Sequence, residues 1–300
     1  MQRPILNGFT ALLLLFSLGA SNADNSIVVQ DDTGARVILP APAQRIISLS
    51  PHLTEYLFHL NVDDQIVGTV DYSNYPAKAK LLPRVGSHQK FNLEAIIGLE
   101  PDLGLIWHSG TSTAELARVI KLGIPVFLSE PRRLEDIATT LQRLGQLTGA
   151  NDRGYRLSNL FRKDTARLLA KYSGRSPVRV FYQVWQNPLM TLNGEHLINR
   201  LISHCGGKNI FEHLVSLAPT VSREAVIGAN PEIIIAAGPV STAHAWLAAW
   251  QRWPSIRAVK DQNLFTIDPD LINRPTPRIL TGMQSLCELI EQARQRQLKY

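Results

Sequence analysis

Two glutamates occupy the same place in two copies of one short pattern. Asn92–Ile106 reads N-L-E-A-I-I-G-L-E-P-D-L-G-L-I, and Ser222–Ala236 reads S-R-E-A-V-I-G-A-N-P-E-I-I-I-A. At an offset of 130 positions Glu94 meets Glu224, Ile97 meets Ile227, Gly98 meets Gly228 and Pro101 meets Pro231. Each copy reads as a capping residue, a short helix with Glu in its first turn, a Pro stop and an apolar strand. The helix dipole favours such a carboxylate by roughly 0.3–1 kcal/mol, so one copy says little. Two copies on related lobes can present carboxylates to a two-fold symmetric partner, where exposed Arg–carboxylate pairs give orientation and encounter rate more than affinity.

Catalytic signatures are absent. The chain has no G-x-S-x-G, P-loop, G-x-G-x-x-G or H-E-x-x-H, and no Ser, His or Asp stands in a recognisable nucleophile context, so no enzyme is expected. The eight histidines form no close pair or His-rich loop, so no metal site is expected. His52, His88 and His108 still stand out, because each falls just beyond an expected strand or in an adjoining loop. Open α/β sheets bind ligands there, outside the carboxyl ends of their strands. The same rule collects Tyr72 and Tyr75 after strand Gln65–Val70, Trp107 after Leu103–Ile106, and Trp185 after Val178–Val184. A single aromatic at a strand end is usually packing. Several in two lobes point to a large, flat, partly apolar ligand. Asp270 and Arg274 follow strand Asn263–Ile267; they read as a local ion pair or as polar anchors for ligand amides.

The elements that position these residues alternate. A hairpin, Ser26–Leu39, turns at Asp31–Gly34. Strands at Arg45–Leu49, Gln65–Val70, Leu103–Ile106 and Pro125–Leu128 are separated by helices at Leu53–Leu60, Thr113–Leu122 and Leu134–Gln146 and by the repeat helix. From about Ala150 to Tyr172 there is no Pro, and apolar residues keep to one helical face, which predicts a helix roughly 35 Å long. The alternation then restarts with strands Val178–Val184, Ile233–Ala237 and Asn263–Ile267 and helices His196–His204, His244–Trp253 and Arg278–Arg296. The fold class is therefore α/β, with two lobes of mostly parallel sheet joined by one long helix. The expected division is a targeting segment over 1–23, a lobe over 24–149, a linker helix over 150–173 and a lobe over 174–300.

The targeting segment rests on Arg3, the apolar run Ala11–Leu18 and the small-residue site Ser21-Asn22-Ala23. The apolar run is too short to span a bilayer, so an exported, soluble chain beginning near Asp24 is expected. With a net charge of +6 and scattered basic residues, nothing suggests nucleic acid. Cys205 and Cys287 are the two cysteines. They would be a disulfide or two buried free thiols, and export favours the bridge, worth roughly 4–5 kcal/mol in the chain-entropy model.

R-I-I-S-L-S-P-H-L-T-E (Arg45–Glu55), Y-S-N-Y-P (Tyr72–Pro76), N-L-E-A-I-I-G-L-E-P-D-L (Asn92–Leu103), V-S-R-E-A-V (Val221–Val226) and N-R-P-T-P-R (Asn273–Arg278) together resemble the periplasmic cobalamin-binding proteins of vitamin B12 ABC importers. The resemblance runs in order through nearly all of the chain from Arg45. Relatives that carry haem or siderophores share its first and third runs, and they are the alternative, with Tyr72, Tyr75 or His88 as an iron ligand. The resemblance implies a class III periplasmic binding protein, a monomer with cobalamin between two lobes and a permease dimer in the inner membrane as partner. Cobalamin would be transported cargo, not a resident cofactor. Pro51, Tyr72 and Trp107 match positions that line the cobalamin pocket; Asp270 and Arg274 match residues that hydrogen-bond the corrin side chains. Glu94 and Glu224 match the carboxylates that dock on the permease, and Cys205 with Cys287 the family disulfide. The repeat would then form the outer, permease-facing edge of each lobe, leaving the cargo to the other strand ends. This chain also departs from the pattern. His88 and Ala218 stand where tryptophans are expected, and Trp185 falls one position beyond a Phe whose place Val184 takes. His88 is expected to hydrogen-bond at the pocket rim.

Overall fold

A computed structural model describes residues 26–87 and 90–297. The expected targeting segment and His88 lie outside the described residues. A hairpin of β1 (Ile27–Gln30) and β2 (Arg36–Leu39) pairs antiparallel around a turn in which Asp31 accepts from the backbone of Thr33 and Ala35.

The first lobe is built on four parallel strands in the order β4-β3-β5-β6: β3 (Ile46–Ser48), β4 (Ile66–Thr69), β5 (Leu103–Trp107) and β6 (Val126–Ser129). Helix α1 (Pro51–Leu60) starts two residues earlier than the sequence suggested. Pro51 is the first helical residue, where its fixed φ suits the helix and its missing N–H costs nothing. Helices α2 (Leu93–Gly98), α3 (Thr113–Ile120) and α4 (Leu134–Thr148) follow.

Helix α5 (Asn151–Tyr172) is the expected long helix, ~33 Å at 1.5 Å per residue. It packs closely on α4 because two glycines meet: a Cβ on Gly154 would lie 2.6 Å from the Leu141 carbonyl oxygen, and one on Gly145 would lie 3.2 Å from the Gly154 Cα.

The second lobe repeats the plan in the order β10-β9-β7-β8, again all parallel. Its strands are β7 (Val178–Gln183), β8 (Gly207–Asn209), β9 (Ile233–Ala236) and β10 (Leu264–Thr266). Between them run α6 (Leu197–His204), α7 (Arg223–Ala229), α8 (Val240–Trp250), the single turns α9 (Arg257–Lys260) and α10 (Pro269–Ile272), and finally α11 (Ile279–Gln297). Strand β8, which the sequence does not announce, is a three-residue edge strand without an apolar side chain, so it shows no hydrophobic period. Cys205, capping α6, is bonded to Cys287 on α11, which ties that helix to the second sheet.

One buried apolar cluster joins the halves. It runs from Leu53 and Leu57 on α1 through Leu141 and Leu144 on α4, Phe161 and Tyr172 on α5, to Leu286 and Ile290 on α11 and Val180 on β7. Separate clusters fill the outer layer of each lobe. A continuous core resists relative motion of the parts it joins, because packed interiors deform little.

Candidate functional site

The carboxyl ends of the two sheets face a common cleft. The first lobe contributes Trp107, Ser109, Glu130, Pro131 and Arg132; the second contributes Val184, Leu192, Glu195–Ile198 and Leu217, with Ile272, Asn273 and Pro275 closing one side. At about 210 Å³ the cleft is smaller than the ~300–1,000 Å³ of typical ligand pockets, so a ligand larger than this would extend into its mouth. Trp107 is the half-buried last residue of β5. A Cβ on Gly110 would fall 1.9 Å from its indole, so the ring lies across the chain only because Gly110 has none.

Behind Trp107 stands His52, buried in the first turn of α1, with ring planes at 89° and centroids 5.8 Å apart. Its Nδ1 is 2.6 Å from the Ser50 hydroxyl, and its buried Nε2 has no hydrogen-bond partner among the described residues. Burial, with the Arg274 charge adding, holds the imidazole down at about 3, so it is neutral at ordinary pH. His196 in the cleft is also neutral: burial, then Arg132, hold it at about 4, and its Nδ1 caps α6 by accepting from the Ile198 N–H at 3.1 Å.

Arg274 gathers several of the expected residues. Its Nη1 donates to Glu55 (2.9 Å) and to Asn74 Oδ1 (2.8 Å), and its Nη2 donates to the Tyr72 carbonyl (3.2 Å) and pairs with Asp270 (2.9 Å). Asp270 and Arg274 are thus a local ion pair, and the same guanidinium also crosses to the first lobe. Glu55, fully buried on α1, was not singled out as a site residue; its signal was a carboxylate within the buried part of a helix otherwise free of acidic residues. Burial pushes its carboxyl up, while the Arg274 and Arg278 guanidiniums pull it back.

Tyr72 is 72% exposed and has φ 65, a left-handed backbone uncommon for a non-glycine residue. Pro51 lies beside His52 at the start of α1. The structure therefore links Pro51, Tyr72, Trp107, Asp270 and Arg274 into one neighbourhood. Trp185 stands apart on the second lobe, 48% exposed, edge-on to Trp246 at 5.8 Å. Val184, one residue earlier, is the one that lines the cleft. Trp246 itself is buried in the core of that lobe.

Glu94 and Glu224 are exposed in the first turns of α2 and α7, without an ion-pair or hydrogen-bond partner among the described residues. The helix caps are as expected: Asn92 and Ser222 each accept from a backbone N–H three residues on, at 3.1 Å. Their location corrects the sequence reading. Asn92 donates from its backbone to Val85, which itself donates to Thr69 at the carboxyl end of β4; Val221 donates to Leu189, in the loop that returns to β7 at Val184. Both glutamate helices therefore begin at the carboxyl ends of the sheets, the end that carries Tyr72 and Trp107, not at an opposite edge. The long crossing loops bring the chain back over the strand ends before each helix starts.

Among the described residues no group of His, Cys, Asp and Glu could hold a metal ion, and no helix is long and apolar enough to cross a membrane.

Residues 46–271 match the family model described as periplasmic binding protein. A vitamin B12-binding protein of Yersinia pestis is 36% identical over 251 residues, covering 83% of this chain and 88% of its own. The crystal structure of the periplasmic vitamin B12 binding protein BtuF of Vibrio cholerae superposes with a TM-score of 0.79 at 34% identity, covering 84% of this chain and 98% of that one. A periplasmic haem-binding protein from Pseudomonas aeruginosa shares the fold, with a TM-score of 0.72 at 22% identity over 83% and 92% of the two chains.

Proposed function

The chain belongs to the periplasmic binding protein family, and we propose that within it this protein captures cobalamin and hands it to the permease of an ABC importer in the inner membrane. It is a binding protein, not an enzyme. The observation that carries the reading is the match, at 34% identity, to nearly the whole of a vitamin B12 binding protein structure, whereas the similarity to a haem binder stops at 22% and the shared fold. The division into lobe, linker helix and lobe at residues 24–149, 150–173 and 174–300 is part of the same reading, as are export to the periplasm after removal of residues 1–23 and a monomeric state.

The flat corrin lies across the mouth of the cleft. Pro51, Tyr72 and Trp107 pack on it from the first lobe and Trp185 from the second, burying aromatic area on both faces. Asp270, with Arg274 behind it, is the polar anchor for corrin amides; its side chain is 44% exposed and still has acceptor capacity beyond the Arg274 pair. Glu94 and Glu224 meet arginines of the permease dimer. Because these glutamates start at the same strand ends as the cargo residues, docking sets the open face of the cleft against the importer, and cargo leaves without the protein turning over.

The continuous core through α4, α5 and α11 supports small lobe motion on loading. Purified protein mixed with cyanocobalamin and dialysed should stay pink. Complete loss of colour, with haem retained instead, would transfer the protein to the haem-carrying branch of the fold.

A further inference from the structure

We propose that Glu55 is a positioning residue: buried on α1, it fixes Arg274 as a brace for the Tyr72 loop, so that the arginine acts behind the cargo and not chiefly on it. The proposal rests on the cobalamin reading for its functional consequence, but its structural content does not depend on it.

An arginine has five N–H donors, and Arg274 donates three hydrogen bonds within the protein, to Glu55, Asn74 and the Tyr72 carbonyl, while its Nη2 also pairs with Asp270. Its side chain is 12% exposed. Most of its hydrogen-bonding capacity is thus spent within the described residues, not on a ligand. Two of the four contacts, Asn74 and the Tyr72 carbonyl, fall on the loop after β4. Arg278 holds the same loop from a second point, its guanidinium 3.5 Å from the Tyr75 ring centroid. Both arginines share Glu55 Oε1, at 2.9 and 3.2 Å, while Thr276 donates to Oε2 at 3.2 Å. Glu55 is thus the counter-charge for two half-desolvated guanidiniums. Without it they would stand side by side with no shared anion, and at least one would swing to solvent, because a buried charge stripped of its partner is costly.

The loop needs such a brace. Tyr72 holds a left-handed backbone and projects an exposed ring, a geometry that persists only where its surroundings enforce it. The brace also spans the lobes. Asn273 accepts from Tyr182 of β7 at 3.1 Å, whereas two residues on the Pro275 carbonyl accepts from Tyr56 of α1 at 2.8 Å. Cargo contacts from Tyr72 on one lobe and Asp270 on the other are thereby held in register through one guanidinium.

Hydrogen exchange of residues 71–76 and cobalamin affinity, measured for Glu55→Gln and Asn74→Ala, test this, each with Tyr72 intact and with Tyr72→Ala. Exchange in the loop should accelerate in both variants. Affinity should fall ~10-fold with Tyr72 present and no more than ~2-fold without it, the size expected for a lost charge-assisted hydrogen bond acting through that residue. Unchanged exchange in residues 71–76, or an equal loss of affinity in both backgrounds, would overturn the proposal. If Glu55→Gln does not fold, Asn74→Ala, which removes one loop contact and leaves the buried charge paired, decides it alone. Wild-type protein that binds no cobalamin would sink the cargo reading, while the exchange rates would still decide the brace.

Discussion

Asp102 and Glu232, at equivalent places in the two lobes, each cap the start of the neighbouring central strand with a carboxylate. Asp102 accepts from the backbone N–H groups of Gln44 (2.7 Å) and Arg45 (3.0 Å), and Glu232 from that of Arg179 (2.8 Å). The arginines return the contact: Arg45 donates to the Leu99 carbonyl at the end of α2, and Arg179 to the Ala229 carbonyl at the end of α7. Between helix and strand, Glu100 and Asn230 share a left-handed turn, with φ 44 and φ 45. Each glutamate-bearing helix is thus pinned to its sheet by the same device, the rigidity that the proposed docking role would need.

Replacing both Glu94 and Glu224 by Ala should therefore leave cargo affinity within about twofold, since neither residue touches the cleft, and should abolish delivery to the importer. Uptake of cobalamin by cells carrying the variant, set beside a titration of the purified protein, separates the two effects. An affinity loss as large as the uptake loss would end the docking role.

Acid should destabilise the protein through its buried histidines. In the folded chain His52 titrates at about 3 and His196 at about 4, against 6.5 when unfolded. Below 6.5 the unfolded chain takes up protons that the folded chain refuses, so stability falls as pH drops from 6.5 towards 4, by up to about 1.4 kcal/mol per pH unit for each group. His52→Phe keeps a ring against Trp107 and removes one titration. Its urea midpoint should fall less steeply between pH 7 and 5 than that of the wild type; parallel curves would show that His52 is not the cause.

Gly154→Ala reverses the usual helix rule. In an exposed helix the change stabilises by about 1 kcal/mol. Here the new methyl would meet the Leu141 carbonyl at 2.6 Å and force α4 and α5 apart, an overpacking that typically costs about 1–3 kcal/mol. Chemical denaturation reads the sign directly, and a more stable variant would contradict the close α4–α5 contact.

Reduction of the Cys205–Cys287 bond should lower stability by about 4.5 kcal/mol, the chain-entropy value for its 82-residue separation. Because Arg278, which pairs with Glu55, stands just before α11 and away from the bridge, the Cys205→Ser/Cys287→Ser variant should retain cargo where it remains folded. Calorimetry with and without reductant gives the stability difference, and an unchanged melting temperature would mean the bridge contributes nothing.

The alternation of strands and helices was legible because parallel strands buried on both faces, such as Ile233–Ala236, are nearly pure apolar runs, and because Asn92 and Ser222 announce their helices. Edge strand Gly207–Asn209 and the single turns at Arg257 and Pro269 were illegible, since pairing partners and tertiary contacts, not local period, create them. The strand-end rule pointed to Trp107, which lines the cleft, and to Tyr72, whose carbonyl accepts from Arg274. It could not reveal that Arg274 reaches back 219 positions to Glu55, nor that the crossing loops carry the glutamate helices to the sheet ends that bear Tyr72 and Trp107. Those are relations between distant segments, and no spacing in one sequence encodes them.

The central claim is that the cleft between the two sheets is built for cobalamin. A parallel titration of the purified protein with cyanocobalamin, cobinamide and haem, followed by quenching of tryptophan fluorescence, tests it most directly. Trp107 and Trp185 should be quenched by cyanocobalamin at a one-to-one end point, and Trp107→Ala should weaken that binding at least ~10-fold, the scale of a lost aromatic contact. Saturable binding of haem with none of either corrinoid would contradict the claim.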